Sequence, residues 1–301
     1  MIEAAPVLEM RKISKVFPGV KALSGVDFRL FPGEVHAVMG QNGAGKSTLI
    51  KVLTGVHEPD AGVIRLDGRP IRPDSPFAAQ KLGISTVYQE VNLCPNLSVA
   101  ENLFIGRQPM RFGKIRWREL NRRAEQALAK LNIALDVTLP LSSYSIAIQQ
   151  MVAIARVLDV SAKILILDEP TSSLDDAEVE QLFGVIRKLR DQGLAVLFIT
   201  HFMDQVYAIA DRITVLKDGQ LCGEFRTAEL PKLELIAKML GKQLSEVRQA
   251  SEQAARKKVA PARNGVPVLK VHQLGLRGSI APFDLDLAEG EVLGLDRKSV
   301  V

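Results

Sequence analysis

The chain has 301 residues, of which 47% are hydrophobic and 24% charged, with a formal net charge of +5. This is a globular composition, which excludes a low-complexity or disordered chain, and no run approaches the ~20 apolar residues that cross a bilayer. Two widely spaced cysteines, Cys94 and Cys222, argue against a disulfide framework and for a reducing compartment. The opening Met1-Ile2-Glu3-Ala4-Ala5-Pro6 has no basic region and no apolar run, so no secretory leader is expected.

Residues 7–30 read as short alternating strands, joined by another at 62–66, the pattern of an antiparallel edge sheet. The apolar run 35–39 predicts a strand and is followed by Gly40-Gln41-Asn42-Gly43-Ala44-Gly45-Lys46-Ser47-Thr48, which opens a helix predicted over 46–56. Strand, Gly-rich turn and helix in that order are the context of a phosphate-binding P-loop. The glycines let the backbone N–H groups point inward at a helix N-terminus and make an anion site. Lys46 then reaches the β- and γ-phosphates of a nucleotide, and the Ser47 hydroxyl suits Mg²⁺.

A strand is predicted over 84–88. The stretch 107–123 follows, with Arg107, Arg111, Lys114, Arg116, Arg118, Arg122 and Arg123 against Glu119 alone, and with the single tryptophan, Trp117. A nucleic-acid surface, a solvated helix face and a face near anionic lipid all fit such a run, with the solvated or lipid-facing readings preferred. Helices are predicted over 119–131 and 147–158. The strand 164–168 ends in Asp168-Glu169-Pro170, placing Asp168 to hold Mg²⁺ and Glu169 to polarise an attacking water. A helix over 177–192, strands over 195–200 and 213–217, and a helix over 229–240 complete the alternation, which predicts an α/β fold with a parallel sheet covered by helices.

Asp168-Glu169-Pro170 with Thr171-Ser172-Ser173-Leu174-Asp175, downstream of the P-loop, resembles the ATPase domain of ATP-binding cassette proteins, with Asp175 at the D-loop position. The resemblance implies a P-loop NTPase cassette: a RecA-like parallel core, an antiparallel β subdomain and a helical subdomain, using ATP and Mg²⁺. Val87-Tyr88-Gln89-Glu90 is similar to the family's Q-loop, which implies that Gln89 contacts Mg²⁺ and the attacking water. His201, in Ile199-Thr200-His201, matches the switch histidine that meets the γ-phosphate, and Phe17 matches the aromatic that stacks on adenine. The family's signature loop, Leu-Ser-Gly-Gly-Gln, is replaced by Tyr144-Ser145-Ile146-Ala147-Ile148 and then Gln149. Ser145 is kept and both glycines are lost, which restricts how closely this loop approaches nucleotide on a facing domain.

That asymmetry, and the phrases at 87–106 and 200–207, resemble the fused two-cassette ATPases of bacterial sugar importers, the galactofuranose type most of all. The resemblance implies a chain on the cytoplasmic face of the bacterial inner membrane that powers monosaccharide import. Its implied partners are membrane permease subunits, a periplasmic sugar-binding protein and a second cassette, with 90–106 receiving the permease and no nucleic acid expected. Ribose, xylose, arabinose or galactose import is the alternative, then a cassette ATPase acting on nucleic acid or ribosomes, or a non-catalytic nucleotide-dependent module.

The sequence also repeats. Pro6-Val7-Leu8-Glu9-Met10 is echoed by Pro267-Val268-Leu269-Lys270-Val271, and Gly33-Glu34-Val35 by Gly290-Glu291-Val292. The expected organisation is a cassette at 1–245, a charged, Ala-rich linker at 246–266, and the first strands of a second cassette at 267–295. Asp296-Arg297-Lys298-Ser299-Val300-Val301 equals the translation of a common sequencing-adapter oligonucleotide, so 296–301 is expected to be a non-native tail.

Overall fold

The computed structural model of the chain describes residues 5–87, 93–158, 162–249, 267–276, 280–289 and 293. Gln89, most of the expected linker and the tail at 296–301 lie outside the described residues. The chain divides into two compact units, 1–247 and 248–301.

The first unit runs β1 (Leu8–Phe17), β2 (Val20–Leu30), β3 (Val35–Met39), α1 (Lys46–Leu53), β4 (Ala61–Leu66), β5 (Arg69–Ile71), α2 (Pro76–Lys81), β6 (Ile84–Val87) and α3 (Val99–Phe104). A short hairpin of β7 (Met110–Arg111) and β8 (Lys114–Ile115) leads into α4 (Trp117–Ala129), α5 (Ile146–Leu158) and β9 (Ile164–Asp168). Then come α6 (Asp176–Asp191), β10 (Ala195–Ile199), α7 (Met203–Ile209), β11 (Arg212–Lys217), β12 (Gln220–Arg226) and α8 (Lys232–Leu240).

The central sheet has the order β12-β11-β3-β10-β9-β6, parallel except for β12, which pairs antiparallel with β11. Its inner strands β3, β9 and β10 are buried along nearly their whole length because both faces are covered. Along β9, Leu165 and Leu167 join one buried cluster with α3, α4, α5 and α6, while Ile164 and Ile166 join a second with α1, β1 and β2. The second cluster is roofed by a four-stranded antiparallel sheet, order β2-β1-β4-β5. The α/β class, the parallel core and the antiparallel subdomain are therefore as the sequence predicts.

Helix ends differ for local reasons. The helix expected over 46–56 stops at Leu53, because Thr54 closes it and Gly55 follows with φ 74°. The helix expected over 229–240 starts at Lys232, since Pro231 occupies the N-cap. The basic stretch 107–123 is not one helix face: it is divided between the β7–β8 hairpin and α4.

In the second unit β13 (Leu269–Leu276) pairs antiparallel with β14 (Ile280–Leu287). The pairs Leu269↔Leu287, Lys270↔Asp286 and Val271↔Leu285 repeat Leu8↔Leu30, Glu9↔Arg29 and Met10↔Phe28 of β1–β2. Each hairpin then slips register at a bulge. In the first, Lys12 takes φ 51° and its N–H donates to Asp27 Oδ1 at 2.8 Å; in the second, Gln273 takes φ 51° and its N–H donates to Asp284 Oδ1 at 2.6 Å.

Candidate active site

Strand β3 lies between β10 and β11, and its C-terminal end delivers the chain into loop 40–45 and α1. Gly45, at φ 102°, is the N-cap of α1 with no side-chain cap, so the first N–H groups of the helix face the loop. A Cβ at Gly45 would stand 2.7 Å from the Ala22 carbonyl oxygen, and one at Gly40 only 2.4 Å from that of Leu216. Backbone approach thus requires glycine at both positions. Gly43 has φ 81° and open space around it. Ala44 is buried, Thr48 half-buried, and Gln41, Asn42 and Ser47 are exposed at the mouth. Lys46 Nζ donates to the carbonyls of Gly40 at 2.7 Å and Gln41 at 3.1 Å.

Asp168 ends β9, paired in register with Ile199 at the end of β10. Burial and the adjacent Glu169 charge push its carboxyl above the ordinary aspartate value, against the pull of Lys46 and Lys51. Burial lowers the Lys46 ammonium, opposed by Glu169 and Asp168. The three groups therefore share one electrostatic field. Glu169 sits at φ 51°, its N–H donating to the Ile199 carbonyl at 2.9 Å. His201 Nδ1 donates to Glu169 Oε2 at 2.8 Å, and its ring lies 4.0 Å from that of Phe202. The parallel sheet thus gathers Lys46, Asp168, Glu169 and His201 at the C-terminal ends of β3, β9 and β10, where open α/β sheets place their ligands.

Gln205 on α7 is a supporting residue that the sequence reading missed. Its Oε1 accepts from Thr171 Oγ1 at 2.5 Å and lies 3.5 Å from Thr200 Oγ1, and that hydroxyl accepts the Phe202 N–H at 3.1 Å. One side chain ties the loop after Glu169 to the loop carrying His201. Its only sequence signal is a position four residues past the histidine.

Other predicted residues make different local contacts. Phe17 closes β1 edge-on to His57, with centroids 5.1 Å apart, and Lys15 Nζ stands 5.7 Å from its ring. Ser145 Oγ accepts a long 3.5 Å bond from Ile148 N–H, and Gln149 Nε2 donates to the Tyr144 carbonyl at 3.0 Å. Ala147 is buried, whereas Ile146, which opens α5, is 48% exposed. Asp175 caps α6: its carboxylate accepts the Glu178 N–H at 2.8 Å, and Glu178 accepts the Asp175 N–H at 3.1 Å.

Residues 23–172 match the family described as ABC transporter. The chain is 53% identical over 289 residues to the galactofuranose transporter ATP-binding protein YtfR of Escherichia coli K12, covering 96% of this chain and 57% of that protein. It is 50% identical over 295 residues to the fructose import ATP-binding protein FruK of Bifidobacterium longum, covering 98% and 57%. The chain thus spans little more than half the length of these relatives. Its fold matches the ADP conformation of an ATP-binding cassette of an ABC transporter with a TM-score of 0.68 at 26% identity, covering 82% of this chain and 99% of that one. It matches cbiO1 from Clostridium perfringens, part of the ABC transporter complex cbiONQ, with a TM-score of 0.67 at 29% identity, covering 82% and 100%. A six-stranded core with a P-loop at its centre, an acidic strand end facing that loop and these likenesses lead to one family, and the chain belongs to it: it carries an ATP-binding cassette of the ABC transporters.

Proposed function

We propose that this cassette binds and hydrolyses ATP to power import of a monosaccharide, of the galactofuranose type, across the bacterial inner membrane. The carrying observation is the convergence of Lys46, Asp168, Glu169 and His201 at adjacent strand ends, with the Glu169–His201 hydrogen bond at 2.8 Å. The sugar-import names of relatives 53% and 50% identical support the transport role.

In this reading the loop N–H groups and Lys46 hold the β- and γ-phosphates. The Glu169 carboxylate orients the attacking water, and its hydrogen bond to His201 fixes the direction in which it points. Such chemistry is mostly positioning and charge stabilisation. The Ser47 hydroxyl and Asp168 carboxylate are hard oxygen donors of the kind Mg²⁺ takes, and Asp168, half-buried beside Glu169, has a charge that wants a further cation. When bound there, Mg²⁺ would offset negative charge on the phosphates. Gln89 is assigned by resemblance to the same γ-phosphate environment and Phe17 to the adenine.

The partners would be permease subunits, a periplasmic sugar-binding protein and a second cassette, placing the chain peripherally on the cytoplasmic face of the membrane. The repeated register and bulge of β13–β14 support reading 267–295 as the opening of that second cassette, joined through 246–266. The segment 296–301 is proposed to be a non-native tail.

Two measurements test this. Titration with a fluorescent ATP analogue is expected to show saturable binding that Lys46→Ala weakens roughly tenfold to a hundredfold, the worth of a lost charge-assisted contact. A tagged chain recovered from detergent-solubilised membranes is expected to bring down a permease subunit. Recovery with ribosomes or nucleic acid instead would remove the transport reading.

A further inference from the structure

The β7–β8 hairpin and the first turn of α4 carry side chains that the fold and the nucleotide site leave unexplained. The hairpin closes through Phe112 and Gly113, at φ 49° and φ 74°, which makes a two-residue turn of the type that favours Asn-Gly. A bulky aromatic at positive φ is an outlier there, yet Phe112 is 91% exposed at the tip. Neither burial nor turn propensity accounts for it. Met110, 56% exposed, and Trp117, 50% exposed, extend the apolar surface on either side. Ile115 is partly buried against the core, and the Arg116 N–H donates to the Pro109 carbonyl at 2.8 Å, so the hairpin is anchored at its base.

The charges are equally unexplained. Glu119 is held by Arg122 and Arg123 at 2.8 and 2.7 Å. Arg111, Lys114, Arg116 and Arg118 are exposed and form no ion pair among the described residues; Arg111 lies 5.3 Å from the Phe112 ring. Arg116 and Arg118 bracket the N-terminus of α4, where the helix dipole disfavours cations. Four cations around a protruding Phe, a Trp and a Met need a ligand that is anionic over an area and apolar just beneath. Anionic phospholipid meets that description, with phosphates for the arginines and an acyl boundary for the aromatics.

We propose that the segment Met110–Arg118 docks on an anionic phospholipid surface, inserting Phe112 and seating Trp117 at the headgroup level. The proposal takes its setting from the importer reading and its chemistry from the hairpin alone. It makes the cassette a direct reader of the lipid surface as well as a passenger on its permease. A nucleic-acid backbone would satisfy the arginines but offers no apolar layer to a tip residue that points away from the protein.

Trp117 is the single tryptophan, so its fluorescence reports the contact directly. The purified 301-residue chain is mixed with protein-free vesicles containing about one-third phosphatidylglycerol in phosphatidylcholine, at near-physiological salt. The expected result is a shift of emission to shorter wavelength and co-sedimentation with the vesicles. Pure phosphatidylcholine, or about 0.5 M salt, should abolish both. Phe112→Ser, and Arg111→Gln combined with Lys114→Gln, should each weaken binding about tenfold. ATP-analogue binding, measured in parallel on every variant, should be unchanged, which shows that each is folded and keeps this test separate from that of the nucleotide site. Equal binding to neutral vesicles would overturn the proposal. So would absence of binding to the anionic ones, whether the chain then binds DNA at the same salt or only a solubilised permease.

Discussion

At the end of β9, Asp168 is held where neither burial nor its neighbour favours its charge. The folded protein keeps that proton to a higher pH than the unfolded chain does. Stability contributed by the protonated group is therefore lost as pH rises from the ordinary aspartate range through the raised value. Asp168→Asn removes this loss. Calorimetry of the nucleotide-free protein at neutral pH should show a midpoint raised by roughly 2–4 °C, with no gain at acid pH, while Mg²⁺ ceases to strengthen nucleotide binding. Glu169→Gln should leave analogue binding intact and slow single-turnover hydrolysis about 10²–10³-fold, read with radiolabelled ATP. The P-loop residues were legible in the sequence because each glycine answers a local demand, such as the 2.7 Å that separates a Cβ at Gly45 from the Ala22 carbonyl. Gln205 was not legible, since its partners Thr171 and Thr200 meet it only once β9 and β10 lie side by side.

Helix α6 opens on a capping box, so Asp175 has a structural duty besides any part in ATP turnover. Asp175→Ala should cost about 1 kcal/mol in urea unfolding, whereas Asp175→Asn, which caps as well, should cost only a few tenths. A turnover defect shared by both variants would belong to the site rather than to the helix. The long, strongly patterned elements were read correctly from sequence: β3, β9, β10, α5 and α6 lie within a residue or so of expectation. The helices α2, α3 and α7, six or seven residues each, were missed because so short a run cannot display a 3.6-residue period. Two of them had caps written in the chain: Ser75 at the start of α2, and Ser98 with Glu101, which close the box at the start of α3. The β7–β8 hairpin was hidden for a related reason: strands of two residues carry no alternation.

Over the whole molecule, complete turnover in the proposed reading requires a signature loop facing the P-loop from another cassette. A second copy of this chain would offer Ile146, 48% exposed, and Ala147 where the family has glycines. The isolated protein is therefore expected to bind ATP but to hydrolyse it slowly and without cooperativity. A separately produced cassette with an intact Ser-Gly-Gly loop should raise the rate; brisk cooperative turnover by the chain alone would contradict this. The paired hairpins carry a different message. Leu8, Ile13 and Val26 are fully buried, while their counterparts Leu269, Leu274 and Phe283 are 50%, 55% and 38% exposed. The same pattern that builds a core in one setting is left bare in the other, as open strand edges flanked by greasy side chains. The repeated segment thus carries a local instruction, its register and its bulge, while burial is decided by what packs against it.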